Sequence, residues 1–307
     1  MSYRHKKIGG KTVKYIEDQI YSRVKSTYTQ TTQLEALMKI INAAQIISKG
    51  RCGGTYYIVD QTEAITGSYS TLMAGINAAR YISGTTDIDY TDNHHATVIA
   101  LPGDYSAEGR IAFSGKNIHI IGLGLAGTDT GVTIRPDTPT TFAFGGSGTG
   151  IEVANLCIAV DTAVQAIYWG QMDGNCWFHD NVIAGDGTLA TYGIWTGGVK
   201  NSIIENNRIS GFVTSGITVA GGADMYFYDG KIIGNQIGAK ATCATAIYIA
   251  GAGTLVAQNA LIAHNYIIGD NFTKTIDVDN TAADVLVADN WGYAAGEGGT
   301  ERDNHYT

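Results

Sequence analysis

The sequence predicts an all-β fold, a right-handed parallel β-helix with an N-terminal helical segment. Three observations predict it. A seven-residue Asn/Asp pattern recurs through the second half of the chain. A second short, β-prone element interleaves with it. Glycine is abundant and proline scarce, 40 against 3 in 307 residues. That glycine content is about 13%, nearly twice average usage. No Gly-X-Y period is present, which excludes collagen. With 44% hydrophobic and 16% charged residues, the composition also argues against disorder.

The first element is a basic segment, residues 1–50, expected to be helical and to serve as an attachment or capping segment. Val13, Ile16, Ile20 and Val24 recur at helical spacing, and residues 12–49 read as helix apart from a polar break at 26–32. Gly50 suits a C-cap. Residues 1–51 hold ten Lys/Arg against three acids, whereas the remainder holds ten against 25. The formal charge of −8 therefore divides into a basic start and an acidic body. Lys6, Lys7, Lys11, Lys14, Tyr15, Tyr21 and Arg23 are the expected attachment residues. The acidic body argues against nucleic-acid binding. No run of about 20 apolar residues exists, so no membrane insertion is expected. The polar, basic start does not read as a secretion signal.

A short helix is predicted at 70–82, with Leu72, Ile76, Ala79 and Ile82 on one face. Strand signals follow at 97–100, 111–113, 118–121 and 132–134, separated by Gly-rich turns.

The repeat then begins. Its copies are Asn175-Cys-Trp-Phe-His-Asp-Asn181, Asn201-Ser-Ile-Ile-Glu-Asn-Asn207, Asp229-Gly-Lys-Ile-Ile-Gly-Asn235, Asn259-Ala-Leu-Ile-Ala-His-Asn265 and Asp284-Val-Leu-Val-Ala-Asp-Asn290. A weaker sixth copy is read at Asn155–Asp161. The terminal asparagines lie 26, 28, 30 and 25 residues apart. Between copies stand Ile167, Ile194, Ile217, Ile247 and Ile276, each after a small residue and inside a β-prone run. No helix-length segment fits in a repeat.

A repeat of this size cannot close its own core. Stacked, each strand pairs with its counterpart one turn away, about 4.8 Å off, and matched apolar positions build a continuous interior. Phe178, Ile204, Ile232, Ile262 and Val287 suit one inward column; Ile183, Ile209, Ile237 and Ile267 suit another. Asn181, Asn207, Asn235, Asn265 and Asn290 suit a structural ladder of stacked amides. Glycine is expected at the positive-φ corners. A proline would remove a ladder donor, and none follows Pro139. The β-helix is expected over 51–293, with a polar tail at 294–307.

Residues 55–293 resemble the pectate-lyase-like β-helix superfamily. The resemblance rests on the helix at 70–82, on Thr97-Val-Ile-Ala-Leu-Pro-Gly-Asp-Tyr105, on Lys116-Asn-Ile-His-Ile-Ile-Gly-Leu-Gly124 and on Gly131-Val-Thr-Ile-Arg135. It implies the fold, and a choice among polysaccharide lyases, hydrolases, phage tailspikes and virion-bound structural proteins. The lyases of this fold use clustered Asp ligands for Ca²⁺ and a basic residue. No such Asp cluster falls on matched positions here, and Arg135 and Arg208 are the main basic candidates in the coil. No metal and no cofactor are expected.

For hydrolysis, which needs two carboxylates, the best local set is His179, Asp180 and Glu205. His179 and Glu205 hold the same motif position in neighbouring copies. His94-His95 near Asp92 reads as surface. The outward positions of the motif, Trp177, Ile203, Leu261 and Leu286, form an apolar stripe expected at a subunit interface. Tyr168, Trp169, Trp195 and Tyr248 read either as a second exposed strip, suited to sugar rings or subunit contacts, or as core or loop-covered packing. The expected function is a non-catalytic, virion-associated structural subunit: a phage spike, fibre-like or head-decoration protein. It is expected to be a homotrimer attached to other virion proteins through residues 1–50. The alternatives are a polysaccharide-degrading enzyme and a module that binds surface glycan.

Overall fold

A computed structural model describes residues 7–8, 11–12, 55–63, 68–80, 96–124, 126–127, 131–136, 141–161, 164–220, 224–239, 242–250, 254–268, 271–278, 285–292, 300–302 and 305–306. The chain divides into two compact units, Met1–Cys52 and Gly53–Thr307. In the first unit, Lys7–Ile8 and Lys11–Thr12 pair antiparallel, with Lys7 opposite Thr12 and Ile8 opposite Lys11. Thr12 is thus in a strand rather than at the start of a helix. The linking sequence is Gly9-Gly10, a pair favoured in two-residue hairpins. The expected helix at 13–49 lies outside the described residues, as do Lys6, Lys14, Tyr15, Tyr21 and Arg23.

The second unit is a parallel β-helix, a coil of stacked turns. Its strands form three sheets running along the coil, ten-, nine- and ten-stranded among the described residues. Sheet 1 starts at Thr55–Val59, Ala96–Ala100, Ile118–Gly122 and Glu152–Ala154. It continues through Trp177–His179, Ile203–Glu205, Lys231–Ile233, Ala260–Ala263 and Val285–Ala288 to Thr300–Arg302. Sheet 2 holds the strands just after each Asn corner, such as Val182–Gly185, Arg208–Ser210, Gln236–Gly238 and Tyr266–Ile268. Sheet 3 carries the interleaved element, including Gln165–Asp173, Tyr192–Thr196, Ser215–Val219, Cys243–Ile249 and Phe272–Val278.

Register explains the repeat. Phe178 pairs with Ile204, then Ile232, Ile262 and Val287, and all five are buried. Sheet 2 aligns Ile183, Ile209, Ile237 and Ile267 in the same way, and sheet 3 aligns Ile167, Ile194, Ile217, Ile247 and Ile276. Burying each such side chain stabilises the coil by about 1.5–3 kcal/mol. The core is therefore continuous along the axis.

The corners at both ends of the motif adopt positive φ. Asn175, Asn201, Asp229 and Asn259 sit at φ 47–63°, and Asp180, Asn206, His264 and Asp289 at 53–57°, with Gly234 at 66°. Glycine is not the sole corner residue, because the short polar side chains of Asn and Asp tolerate the left-handed region. The buried asparagines that follow form an amide ladder: each Nδ2 donates to the Oδ1 of the next, at 3.0 Å from Asn181 to Asn207, from Asn207 to Asn235 and from Asn235 to Asn265, and 2.9 Å from Asn265 to Asn290.

The sixth copy is framed differently from the sequence expectation. Glu152, Val153 and Ala154 pair with Trp177, Phe178 and His179, so the copy runs Gly150–Leu156 and not Asn155–Asp161. Leu156 takes the ladder position, and its N–H donates to Asn181 Oδ1 at 3.0 Å.

The helix α1, Leu72–Arg80, packs on the N-terminal turns, with Leu72, Ile76 and Ala79 buried. Gly75 permits the close approach: a Cβ there would lie 2.4 Å from Val59 Cγ2. Its first turn is capped from a distance. The Glu108 carboxylate accepts hydrogen bonds from Leu72 N at 2.5 Å and Met73 N at 2.9 Å, and Thr71 Oγ1 accepts one from Ala74 N. Burial raises the Glu108 pKa, against the lowering effect of those two N–H groups.

Candidate functional site

The outer face of sheet 1 carries the polar cluster of interest. Parallel register places His119, Glu152, Trp177 and Ile203 in one column, and Ala154, His179 and Glu205 in the next. Side chains alternate faces along a strand, so both columns point away from the core. Glu152 lies between two histidines. Its Oε1 meets His179 Nε2 at 2.9 Å, and its Oε2 meets His119 Nδ1. The other nitrogen of His179, Nδ1, meets Asp180 Oδ2 at 2.8 Å. The Trp177 ring stacks on His179 with centroids 3.8 Å apart, and its Nε1 donates to Glu205 Oε2 at 3.0 Å.

The side chains of His179 and Glu152 are 8% and 11% exposed, whereas Asp180 is 59% exposed. Burial pushes the Glu152 pKa up, but hydrogen bonds from both histidines outweigh it and hold the carboxyl at about 2. Burial pushes His179 down, and the carboxylates of Glu152 and Asp180 more than compensate, so its pKa is raised. Glu152 is thus an ionised carboxylate with both oxygens engaged, poorly suited to donate a proton as a general acid.

The structure joins His179 and Asp180. Glu205 pairs in register with His179, yet its carboxylate bonds the Trp177 indole. Sequence spacing hides Glu152 because the expected sixth copy starts five residues after the structural one, and His119 lies on the preceding strand, before the repeat begins. Framed at Gly150–Leu156, Glu152 falls on the motif position of Trp177. Arg135 is engaged with Asp161 in an exposed ion pair. His94, His95 and Asp92 lie outside the described residues. Among the described residues, no group of three or more His, Cys, Asp or Glu is arranged to hold a metal ion.

Of the outward apolar positions, Trp177, Ile203 and Leu261 are half-buried and Leu286 is 38% exposed. Tyr266, Ile268 and Trp291 are exposed on the outer face of sheet 2 in the same final turns, at 54%, 39% and 52%. The sheet 3 aromatics divide between the two readings, with Trp169 in the core and Tyr168 and Trp195 half-buried on the outer face. Trp169 points inward and is fully buried. Phe142, Tyr168 and Trp195 stack along the axis, with centroids 5.3 and 4.8 Å apart and the last two rings within 7° of parallel. Thr218, next in register, is 1% exposed, and Arg110 lies over Phe142. Both faces of the Tyr168 ring, and one face of Trp195, are covered within the stack and are not platforms for a sugar ring.

No helix among the described residues is long and apolar enough to cross a membrane. No family model matches the chain. No curated protein matches it either. The class defined by the fold is therefore the parallel β-solenoid, and the particular role rests on the chain's own residues.

Proposed function

We propose that the chain is a virion-associated structural subunit of the pectate-lyase-like type, a spike, fibre-like or head-decoration protein. Residues 1–50 attach it to the particle, and the acidic coil projects as a homotrimer. The observation that carries this reading is the exposed apolar group of the last turns, Leu286, Tyr266, Ile268 and Trp291. These side chains flank one corner of the coil, on the outer faces of sheets 1 and 2. Exposed large apolar groups gathered in this way mark association surfaces. The division of charge between residues 1–51 and the rest supports separate attachment and projection.

Sedimentation equilibrium of the full chain tests the assembly. The expected mass is three times 32.5 kDa, reduced to one chain by Leu286→Asp with Trp291→Asp. A monomeric wild type at micromolar concentration overturns the trimer. Mass spectrometry of particles from the producing cells tests the location, and absence of the chain from gradient-purified particles overturns it.

The cluster on sheet 1 favours a second reading, a depolymerase of surface glycan using His179, Asp180 and Glu205. Glycan cleavage abolished by Asp180→Asn and by Glu205→Gln supports it; rates unchanged in both variants eliminate that site.

A further inference from the structure

The row His119–Glu152–His179–Asp180 crosses three successive strands of sheet 1. Each His179 nitrogen faces a carboxylate oxygen, Nε2 to Glu152 at 2.9 Å and Nδ1 to Asp180 at 2.8 Å. A neutral imidazole carries one N–H and one lone pair. It can satisfy one of these carboxylates and must turn its lone pair to the other. Only the imidazolium donates to both. The Trp177 ring face, stacked at 3.8 Å, also suits a cation. His119 Nδ1 faces the far oxygen of Glu152, a contact that a single ring N–H satisfies, so the need for a second proton falls on His179.

We infer that these four residues form a proton-loaded clasp, in which a His179 imidazolium ties successive turns of the coil and whose discharge lowers the coil's stability as the pH rises. The other groups facing the row among the described residues are few. Glu205 lies beside His179 on the following strand and bonds Trp177, and Lys231 stands one strand further along. On the other side, Thr97 precedes His119 in the column and Tyr56 precedes Thr97. Discharging His179 leaves Glu152, Asp180 and Glu205 as a group of like charges around a buried ring, an arrangement that weakens the turn-to-turn contact.

The sign follows from the two shifted groups. The His179 contribution is fully present below its ordinary value of 6.5 and is lost as the pH rises through its raised native value. The Glu152 contribution is present above 4.5 and is lost as the pH falls through about 2. The clasp therefore holds best in weak acid.

Long-range ¹H–¹⁵N NMR of the ¹⁵N-histidine-labelled full chain reads the charge state directly, with His179→Gln assigning the signal. The expected result is a His179 ring protonated on both nitrogens at pH 6 and titrating above 6.5. Asp180→Asn, at an exposed corner where Asn is tolerated, is expected to lower that midpoint by about 1 unit. Thermal melts across pH 5–9 should fall more steeply for wild type than for Asp180→Asn or His179→Gln. A neutral His179 tautomer at pH 6 overturns the inference. So do identical slopes in all three proteins.

Discussion

The side-chain amide of an interior ladder asparagine engages at least four polar groups. Asn207 donates from Nδ2 to Asn235 Oδ1 and to the Phe178 carbonyl, and its Oδ1 accepts from the backbone N and the Nδ2 of Asn181. Asn235 repeats the pattern toward Asn265 and Ile204. All of these groups are buried, so removing one amide strands its partners on two neighbouring turns. Each stranded group costs about 1–3 kcal/mol. Asn235→Ala is therefore expected to lose about 3 kcal/mol or more in urea melts, far beyond a surface Asn→Ala change. The aligned asparagines made the ladder legible in the sequence. Of the partners of His179, the adjacent Asp180 was legible and Glu152 was not, because Glu152 stands 27 residues away in a copy that lacks the terminal Asn.

At the scale of the element, close packing of one turn on the next decides which backbones are possible. The strand Phe142–Thr149 carries Gly145, Gly146 and Gly148 against its neighbours. A Cβ on Gly146, whose φ is 155°, would lie 1.6 Å from the Phe113 carbonyl oxygen. Gly146→Ala is expected to destabilise the coil by about 3 kcal/mol or more, measured by chemical denaturation, because the obstacle is backbone and cannot rotate away. The outer stack on sheet 3 tests a gentler contact. A double-mutant cycle with Tyr168→Ala and Trp195→Ala should give a coupling of about 0.5–1.5 kcal/mol. Helix α1 was legible within two residues at each end, at Leu72–Arg80 against the expected 70–82. Its cap was not, since Glu108 comes from a short 3-10 turn, Ser106–Glu108, more than 30 residues away. Glu108→Ala should cost about 1 kcal/mol, read as a lower melting temperature with the coil intact.

At the scale of the molecule, the coil is a one-dimensional stack in which a turn meets only its neighbours. Excising residues 208–235 joins Asn207 to Gln236, the residue that follows Asn235 in the intact chain. The sheet 1 strand at 203–205 then meets 260–263, and the sheet 2 strand at 236–238 meets 182–185, with the registers otherwise unchanged. The shortened chain is expected to keep a β-rich circular dichroism spectrum and a cooperative melt. An unfolded product would show that the turns depend on more than their neighbours.

The sequence by itself determined the architecture. A period near 27 residues, an apolar position three before each Asn and, in four of the five copies, another two after it, together with scarce proline, admit stacked parallel strands and little else, because each pattern is a direct consequence of strand geometry. Only the tertiary structure decided which side chains meet across the turns. It joined Glu152 to two histidines, turned Trp169 inward and closed the faces of Tyr168 and Trp195 on each other. Those contacts join residues tens of positions apart, and a shift of a few residues in one copy reassigns every partner, so they depend on a register that spacing along the chain does not fix.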